Sequence, residues 1–405
     1  MSEVLLNEVC ELIVDCPHST ASDEGKGYPL VRTPNIGKGR LVYNGMHRVC
    51  EDVYNKRNAR AVPQEDDLIF AREATAGNVA LIQKGEKVCL GQRTVLIRPN
   101  QKKVNPAFLT YFLLAPKQQY NLLSTANGAT VAHVNLPTIR NLKIDLPELP
   151  IQHRIATILS RYDSLIENYQ KQIKLLEEAA QRLYKEWFVD LHFPGHENTK
   201  IIDGVPEGWE KKTIDDVTCK VTTGLNPRKN FVLGKGSNYY VTIKNMAENT
   251  FFLDDRCDKV DSEALEKINK RSDLKIGDIL FSGIGTIGRV ALVDIPTNNW
   301  NVSESVFTMR VNDIATKEFL YLMLLSPDVQ NYCQSNAHGA AQKGIRMADL
   351  KAYSFNLPPF GVIQKFTSLV TPTIKKVSSI RIQIRLLTEA RDRLLPKLMS
   401  GEIDV

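Results

Sequence analysis

The sequence lacks the features that mark membrane and secreted proteins. None of its 405 residues belongs to an uncharged apolar run of about 18 residues, so no membrane-spanning helix is expected. The first ten residues, MSEVLLNEVC, have no basic stretch and carry two glutamates, which is unlike a secretion signal. These absences predict a cytoplasmic protein with no membrane segment.

Metal-binding, disulfide and catalytic signatures are missing as well. The seven cysteines are widely spaced without a CxxC pair, which disfavours a disulfide framework or a zinc ribbon. Among the seven histidines there is no HExxH, and Pro194-Gly195 breaks any helix that would pair His192 with His196. No phosphate-binding loop and no nucleophile–histidine arrangement stands out. We therefore expect no catalytic residue, no metal and no cofactor in this chain, and a binding protein.

Composition gives weaker limits. A hydrophobic fraction of 43% excludes global disorder, and the length predicts two or three domains. The net charge of +6 permits a nucleic-acid partner, but an ordinary solvated surface has similar values.

What the sequence does contain is an internal duplication, offset by 211 residues. Asp67, Phe70, Thr75 and Gly77 match Asp278, Phe281, Thr286 and Gly288. Val79-Ala80-Leu81 recurs as Val290-Ala291-Leu292, and Leu146-Pro147 recurs as Leu357-Pro358. An offset of 210 places Val31–Asn35 on Val241–Asn245. So many matches at one offset indicate two copies of one domain.

Each copy mixes short strands and helices without regular βαβ alternation, which predicts an α+β fold. The predicted strands are 68–70, 79–82 and 94–97 in the first copy and 279–281, 290–293 and 306–309 in the second. Helical patterns cover 106–114 and 317–325.

Each copy is followed by a long helix with heptad spacing. The positions that we expect in the coiled-coil core are Ile155, Tyr162, Leu165, Tyr169, Ile173, Leu176, Leu183, Val377, Ile384, Leu387 and Leu394. Pro372 is expected to interrupt and kink the second helix. The two helices are each other's simplest partner, packed antiparallel, and at 1.5 Å per residue they would form a ruler between two similar globular domains with pseudo-two-fold symmetry.

A glycine pattern at 283–288 is compatible with a nucleotide or S-adenosylmethionine site, but only if a helix comes directly after it. Residues 289–293, Arg-Val-Ala-Leu-Val, are instead typical of a strand, and the first copy has Arg72, Ala74 and Gly77 at the glycine positions. A tight β-hairpin with glycine at its turn is therefore predicted.

Four segments resemble the specificity subunits of type I restriction–modification systems. They are Leu146-Pro-Glu-Leu-Pro-Ile-Gln152, its repeat from Asn356-Leu-Pro-Pro-Phe360 to Gln364, Val205-Pro-Glu-Gly-Trp209, and Leu394-Leu-Pro-Lys-Leu-Met-Ser-Gly-Glu-Ile403. The first hinge reads Ile151-Gln-His-Arg where the family favours Glu-Gln-Arg or Glu-Gln-Lys, and the resemblance covers essentially the whole chain.

The resemblance implies two target-recognition domains, at 1–147 and 191–358, and two helical regions, at 148–190 and 359–405. Each domain would recognise half of a split, asymmetric sequence in double-stranded DNA. The helical regions would bind two methyltransferase subunits, and restriction subunits would join them. S-adenosylmethionine, ATP and Mg would belong to those partners, so this chain would be non-catalytic.

Equivalent loops of the two copies supply most of the candidate DNA-binding residues, and a divergent loop of the second copy adds Arg228 and Lys229. Their side chains are donors and acceptors suited to base edges. They are Arg32, Thr33, Asn35, Arg72 and Asn135 in the first copy, and Arg228, Lys229, Thr242, Lys244, Asn245, Ser282, Thr286, Gln342, Lys343 and Arg346 in the second. For any one of them an ordinary surface or turn role is an equal alternative.

Two other functions remain open from the sequence. A self-contained DNA methyltransferase predicts S-adenosylmethionine affinity in the isolated chain. A two-domain scaffold on a coiled-coil spacer predicts no salt-dependent DNA binding, even with partners present.

Overall fold

The computed structural model describes residues 2–124, 133–247, 249–339 and 342–405. Its contacts group the chain into two compact units: unit 1 is 1–169 with 383–405, and unit 2 is 170–382. Each unit contains one globular part and half of each long helix. The division into four consecutive segments stays a prediction, since this grouping follows contacts instead of chain order.

The described residues of unit 1 form nine strands and four short helices. The strands are β1 (Ser2–Leu5), β2 (Cys10–Asp15), β3 (Tyr28–Val31), β4 (His47–Val49), β5 (Leu68–Ala71), β6 (Val79–Leu81), β7 (Cys89–Leu90), β8 (Thr94–Pro99) and β9 (Lys143–Leu146). The short helices are α1 (Glu51–Arg57), α2 (Pro106–Leu114), α3 (Pro116–Ser124) and α4 (Leu136–Arg140). The long helix α5 (Leu149–Phe188) begins here and continues into unit 2.

Unit 2 repeats this order with a few added strands. Its strands are β10 (Ile201–Ile202), β11 (Val205–Pro206), β12 (Glu210–Thr213), β13 (Thr218–Thr223), β14 (Asn238–Val241), β15 (Met246–Ala247), β16 (Thr250–Phe251), β17 (Asp258–Val260), β18 (Ile279–Ser282), β19 (Val290–Leu292), β20 (Trp300–Val302), β21 (Val306–Val311) and β22 (Ser354–Leu357). Its helices are α6 (Pro227–Asn230), α7 (Ser262–Ser272), α8 (Lys317–Leu324), α9 (Pro327–Ser335), α10 (Met347–Lys351) and the long α11 (Phe360–Ser400), which ends in unit 1.

The two units share their sheet topology. The four-stranded sheet has the order β2-β8-β5-β6 in unit 1 and β13-β21-β18-β19 in unit 2. The three-stranded sheets are β4-β3-β7 and β17-β14-β20, and the two-stranded sheets are β1-β9 and β12-β22. Phe70 faces Val79 in the register of unit 1, as Phe281 faces Val290 in unit 2. The predicted α+β fold and internal repeat are confirmed.

The glycine pattern of unit 2 lies between two strands, as its flanking sequence predicts. β18 and β19 pair antiparallel, and residues 283–289 connect them, which is longer than a tight turn. Gly285 and Gly288 have φ values of 81° and 91°, a conformation that glycine adopts without strain. Strand β19 follows this loop, so the helix N-terminus that a phosphate-binding glycine motif uses does not come directly after it.

Within each unit the two helix halves run antiparallel. In unit 1, Leu398 packs in the same core as Ile155, and Arg391 pairs with Asp163. In unit 2, Phe366 contacts Trp187, and Arg381 pairs with Glu177. In both units the residue numbers rise along one helix as they fall along the other.

Two sequence predictions about these helices are wrong. Leu165 is 46% exposed, whereas Ile166 is buried at 8% exposure. The buried face of the helix includes Asp163, and Ile166, three residues later, lies on the same face. Pro372 does not interrupt α11, which continues from residue 360 to 400. Its ring lies on the exposed side, while buried Val370 and Val377 before and after it hold the helix in place by packing.

The remaining predicted coiled-coil positions lie on the inward side to different degrees. Ile155 and Val377 are buried at 3% and 5% exposure. The half-buried positions are Tyr162, Tyr169, Ile173, Leu176, Leu183, Ile384, Leu387 and Leu394. Among the described residues, no helix is both long and apolar enough to cross a membrane.

Candidate nucleic-acid interface

Three loop segments come together at one edge of each unit. We call residues 32–36, 72–78 and 133–135 edge 1, and residues 242–246, 283–289 and 342–346 edge 2. The first segment follows the central strand of the three-stranded sheet, and the second is the hairpin loop of the four-stranded sheet. The sequence predicted most of its candidate residues in these segments.

In edge 1, side chains of the hairpin loop bind the backbone of the two neighbouring segments. The Thr75 hydroxyl donates to the Thr33 carbonyl at 2.8 Å, and Asn78 Nδ2 donates to the Ile36 carbonyl at 2.9 Å. Arg72 Nε donates to the Val134 carbonyl at 3.0 Å. The three segments therefore form one surface.

In edge 2, the same segments are joined through other atoms. Arg289 donates to the Ile243 carbonyl at 2.7 Å. The Gly285 amide donates to the Lys343 carbonyl at 2.7 Å, and the Ile345 amide donates to the Gly283 carbonyl at 2.8 Å. The assembly of the edge is common to both units, although the side chains that build it differ.

Two of the predicted candidates close the first segment and do not face outward. Asn35 is 1% exposed, accepts from the Arg32 amide at 3.2 Å and donates to the Val42 carbonyl at 3.1 Å. Asn245 is 2% exposed, and its Oδ1 accepts from both the amide and the hydroxyl of Thr242. In this conformation both Asx side chains satisfy a tight turn, and their contact with bases stays a prediction.

Arg72, Ser282 and Thr33 are also buried within the edges. Arg72 donates to Asp15 at 2.7 Å and lies 2.8 Å from His133, in addition to its bond to Val134. The Ser282 hydroxyl is fully buried and donates to the Thr286 carbonyl at 2.6 Å. Thr33 is 7% exposed beneath the hairpin loop. Arg72 and Ser282 therefore help to build the edge, and the base contacts predicted for all three residues stay predictions.

Edge 1 is braced by an ionic chain that centres on His133. Its Nε2 faces a donor, Arg72 Nη2, and its Nδ1 lies 2.6 Å from a carboxylate oxygen of Glu73. Glu73 also pairs with Arg93 at 2.9 Å.

Edge 2 has no counterpart of that chain. Gly283, Ile284 and Gly344 stand where edge 1 has Arg72, Glu73 and His133. A Cβ at Gly283 would lie 2.4 Å from the ring of Phe307, so this position excludes any larger residue.

The candidates that remain accessible lie mainly in unit 2. Five exposed side chains belong to edge 2: Lys244, Thr286, Gln342, Lys343 and Arg346. Arg228 and Lys229 are exposed on the short helix α6, and Arg32, Asn135 and Thr242 are half-buried. The exposed set is basic, which suits a polyanionic partner.

Arg346 already has a carboxylate partner. Its guanidinium donates to both oxygens of Asp349, at 2.7 and 3.0 Å, and this hydrogen bonding holds the pKa of Asp349 below its ordinary value. A guanine edge offers two acceptors in a similar arrangement, so Arg346 would exchange one bidentate partner for another.

Sequence reasoning missed two side-chain contacts that both units share. Gln119 donates to the Gly77 carbonyl at 2.8 Å, and Gln330 donates to the Gly288 carbonyl at 3.0 Å, which fixes each hairpin loop on its unit. Asp67 forms a bidentate ion pair with Arg98, as does Asp278 with Arg310. Recurrence of Gln119 and Gln330 at the offset of 211 was the available signal.

No group of three metal-ligating side chains occurs in the ranges that the structure describes.

Comparison with known proteins agrees with this architecture. The family model described as "Type I restriction modification DNA specificity domain" matches residues 1–178 and 206–378. The "Type I restriction enzyme MjaIX specificity subunit" of Methanocaldococcus jannaschii is 26% identical, with 96% of this chain and 90% of that protein aligned. The HindI specificity subunit of Haemophilus influenzae is 23% identical over 93% of this chain and 95% of that protein.

The crystal structure of a type I restriction–modification S subunit from M. genitalium shares the fold. It has a TM-score of 0.58 and 16% identity, covering 98% of this chain and 95% of that one. Because the family model matches both copies of the repeat and more than half of the chain, this chain belongs to the family of type I restriction–modification DNA specificity subunits.

Proposed function

We propose that this chain selects the DNA sequence on which a type I restriction–modification enzyme acts. Unit 1 recognises one half of a split target, and unit 2 recognises the other half. The relatives named as type I specificity subunits support the assignment.

The observation that carries the proposal is a repeated framework with two different edges. The sheet order is the same in both units, whereas the edge side chains differ at nearly every accessible position. One framework with two chemically different surfaces suits an asymmetric target with two separated half-sites. The long helices, which continue from one unit into the other, would set the spacing between these half-sites.

We further propose that the chain is non-catalytic and that the chemistry belongs to its partners. Two methyltransferase subunits would bind S-adenosylmethionine, and restriction subunits would bind ATP and Mg. The double-stranded DNA substrate and these partners would place the complex in the cytoplasm.

Base recognition in the second half-site is assigned to Lys244, Thr286, Gln342, Lys343 and Arg346, with Arg228 and Lys229 as further DNA contacts. Arg32 and Asn135 are the remaining candidates for the first half-site, together with the half-buried Thr242 in the second. Arg and Gln offer the bidentate geometry that distinguishes bases in the major groove, and Lys supplies phosphate contacts.

The test is methylome sequencing of a methylation-free host that expresses this chain with the methyltransferase gene beside it. The expected result is one new split, asymmetric motif methylated on both strands. A soluble complex that methylates no motif, and whose DNA binding does not respond to salt, contradicts the proposal.

Exchange of residues 1–147 for those of a relative sharpens this test. Only one half of the motif should change, while the spacer and the other half stay the same. A change in both halves would show that the units do not act separately.

A further inference from the structure

Unit 2 contains a cavity of about 500 Å³ between its helix pair and its globular part. Leu176, Leu322, Ile374 and Val377 form much of its apolar wall. Its charged lining residues are Glu177, Asp294, Lys317, Glu318, Lys375 and Arg381. This volume and lining are typical of sites that bury a side chain or a small ligand.

The corresponding place in unit 1 is filled by a polar cluster. Tyr111 donates to Asp163 at 2.5 Å, and Arg391 donates to the other carboxylate oxygen at 2.6 Å. Arg40 donates to Glu167 at 2.7 Å next to them. Tyr111 and Asp163 are each 6% exposed, so the cluster closes the space between the helix pair and the globular part.

The internal repeat relates the five cluster residues to five residues of unit 2. At offsets of 210 or 211, the pairs are Arg40 and Thr250, Tyr111 and Leu322, Asp163 and Ile374, Glu167 and Ser378, and Arg391 and Ala180. All five counterparts line the cavity. Each counterpart in unit 2 lacks the charged group or the phenol of the matching residue in unit 1. The cavity therefore lies where unit 1 has the side chains of its polar cluster.

One carboxylate in this cavity has a long ion pair with an accessible lysine. The side chain of Glu318 is 9% exposed, and its ion pair with neighbouring Lys317 is long, at 3.4 Å, with that lysine 46% exposed. The other two carboxylates are engaged: Glu177 pairs with Arg381 at 2.6 Å, and Asp294 accepts from Ser378. A nearly buried carboxylate is stabilised by a charged donor, so Glu318 favours a cation in the cavity.

We propose that the cavity receives an arginine side chain from a partner chain, with the guanidinium on Glu318 and the aliphatic stem against Leu322 and Ile374. Unit 1 supports this choice, because it fills the same place with its own guanidinium groups on carboxylates. A guanidinium is also weakly hydrated and enters partly buried sites more readily than an ammonium group. The identity of the partner as a methyltransferase subunit rests on the proposed function.

The chemistry is tested on the full chain with n-butylguanidinium as the probe, followed by methyl NMR of labelled leucine, isoleucine and valine. We expect saturable shifts of the Leu322 and Ile374 methyl groups. Glu318→Gln should weaken binding about tenfold, whereas Glu263→Gln, the same change at an exposed site of unit 2, should leave it unchanged. Equal binding of n-pentanol, or no shift at all, overturns the proposal.

Rebuilding the cluster of unit 1 gives a second test. Ala180→Arg with Ile374→Asp places a guanidinium and a carboxylate where unit 1 has Arg391 and Asp163, and the probe should no longer bind. Ala180→Leu fills the same space without charge and serves if the double variant does not fold. Probe binding that survives in a folded variant with the space filled contradicts the assigned site.

The partner is tested in the complex with the methyltransferase encoded beside this chain. Glu318→Gln and the double variant should each raise the Kd of the complex about tenfold, and Glu263→Gln should not. If these variants bind like the wild type, the arginine does not come from that partner and this proposal fails. If the wild-type chain forms no complex, the proposed function fails, and the probe titration still decides the chemistry of the cavity.

Discussion

Units 1 and 2 share the side-chain contacts that hold their sheets and hairpin loops, and they differ in other polar contacts. Both have the buried ion pair at Asp67 or Asp278 and the glutamine that fixes the hairpin loop. They differ in the chain around His133 and in the cluster around Asp163. The comparison indicates that the strands, the ion pair and the glutamine determine the fold. The side chains of the edge, and those between the long helices and the globular part, can change without altering it.

The largest expected effect comes from giving unit 1 the apolar residue of unit 2. Asp163→Ile leaves Arg391 without its main carboxylate and Tyr111 without its acceptor, which should cost about 3 kcal/mol of stability. Asp163→Ile with Arg391→Ala copies Ile374 and Ala180 and should recover part of this loss. Hydrogen exchange in α2 and the first half of α5 measures the change for unit 1 alone. A single variant as stable as the double would show that the ion pair is not coupled.

The next effect concerns the basic edge of unit 2. Arg346→Ala should weaken DNA binding by about 1–3 kcal/mol and relax one position of the second half-site only. Binding of a target library at fixed salt measures both quantities, with Lys117→Ala in unit 1 as the control. An equal loss on all sequences would make Arg346 a phosphate contact.

A smaller effect distinguishes the two hairpin loops. Ala74 has a φ of 60° where unit 2 has Gly285 at 81°, so Ala74→Gly should stabilise unit 1 by about 1 kcal/mol. Gly285→Ala should destabilise unit 2, because its new Cβ would lie 2.8 Å from the Ile243 side chain. Thermal unfolding of both variants measures the two signs, and equal signs would contradict this comparison.

The smallest effect is a pH dependence of the stability of unit 1 that comes from Tyr111. Its counterpart in unit 2, Leu322, has no titratable group. Burial, together with the negative charge of Asp163, raises the pKa of Tyr111 above the value of about 10 for a free tyrosine. The stability from this group is complete below pH 10 and decreases at higher pH, because the unfolded chain then loses a proton that the folded chain retains. The loss from this group is about 0.4 kcal/mol at pH 10. Tyr111→Phe should show a shallower alkaline decrease in denaturant unfolding than the wild type, and parallel curves would contradict this assignment.

Local pattern was enough to predict much of the architecture. The helix predicted at 106–114 is α2, and the predicted strands coincide with β5, β6, β8, β18, β19 and β21 within two residues. These segments succeed because their apolar spacing alone determines which side is buried.

The sequence could not predict which polar residues of the loops face outward. Asn35, Arg72 and Ser282 have the residue types of base contacts, yet each is buried. Asn35 donates to the Val42 carbonyl, and Arg72 donates to the Val134 carbonyl, which is distant in sequence. The same limit applies to Leu165, since a choice between neighbouring helix positions depends on the packing of the whole unit.

The distribution of the two units along the chain has a consequence for their order of formation during synthesis. Unit 2 is one continuous stretch, 170–382, whereas unit 1 needs 383–405, which comes after all of unit 2. At ribosomal rates of about 5–20 residues per second, unit 2 can complete its core while unit 1, although translated first, still lacks Arg391 and Leu398. A nascent chain that stops before these residues carries a finished unit 2 and exposes the apolar side of α5 in unit 1 to chaperones and proteases.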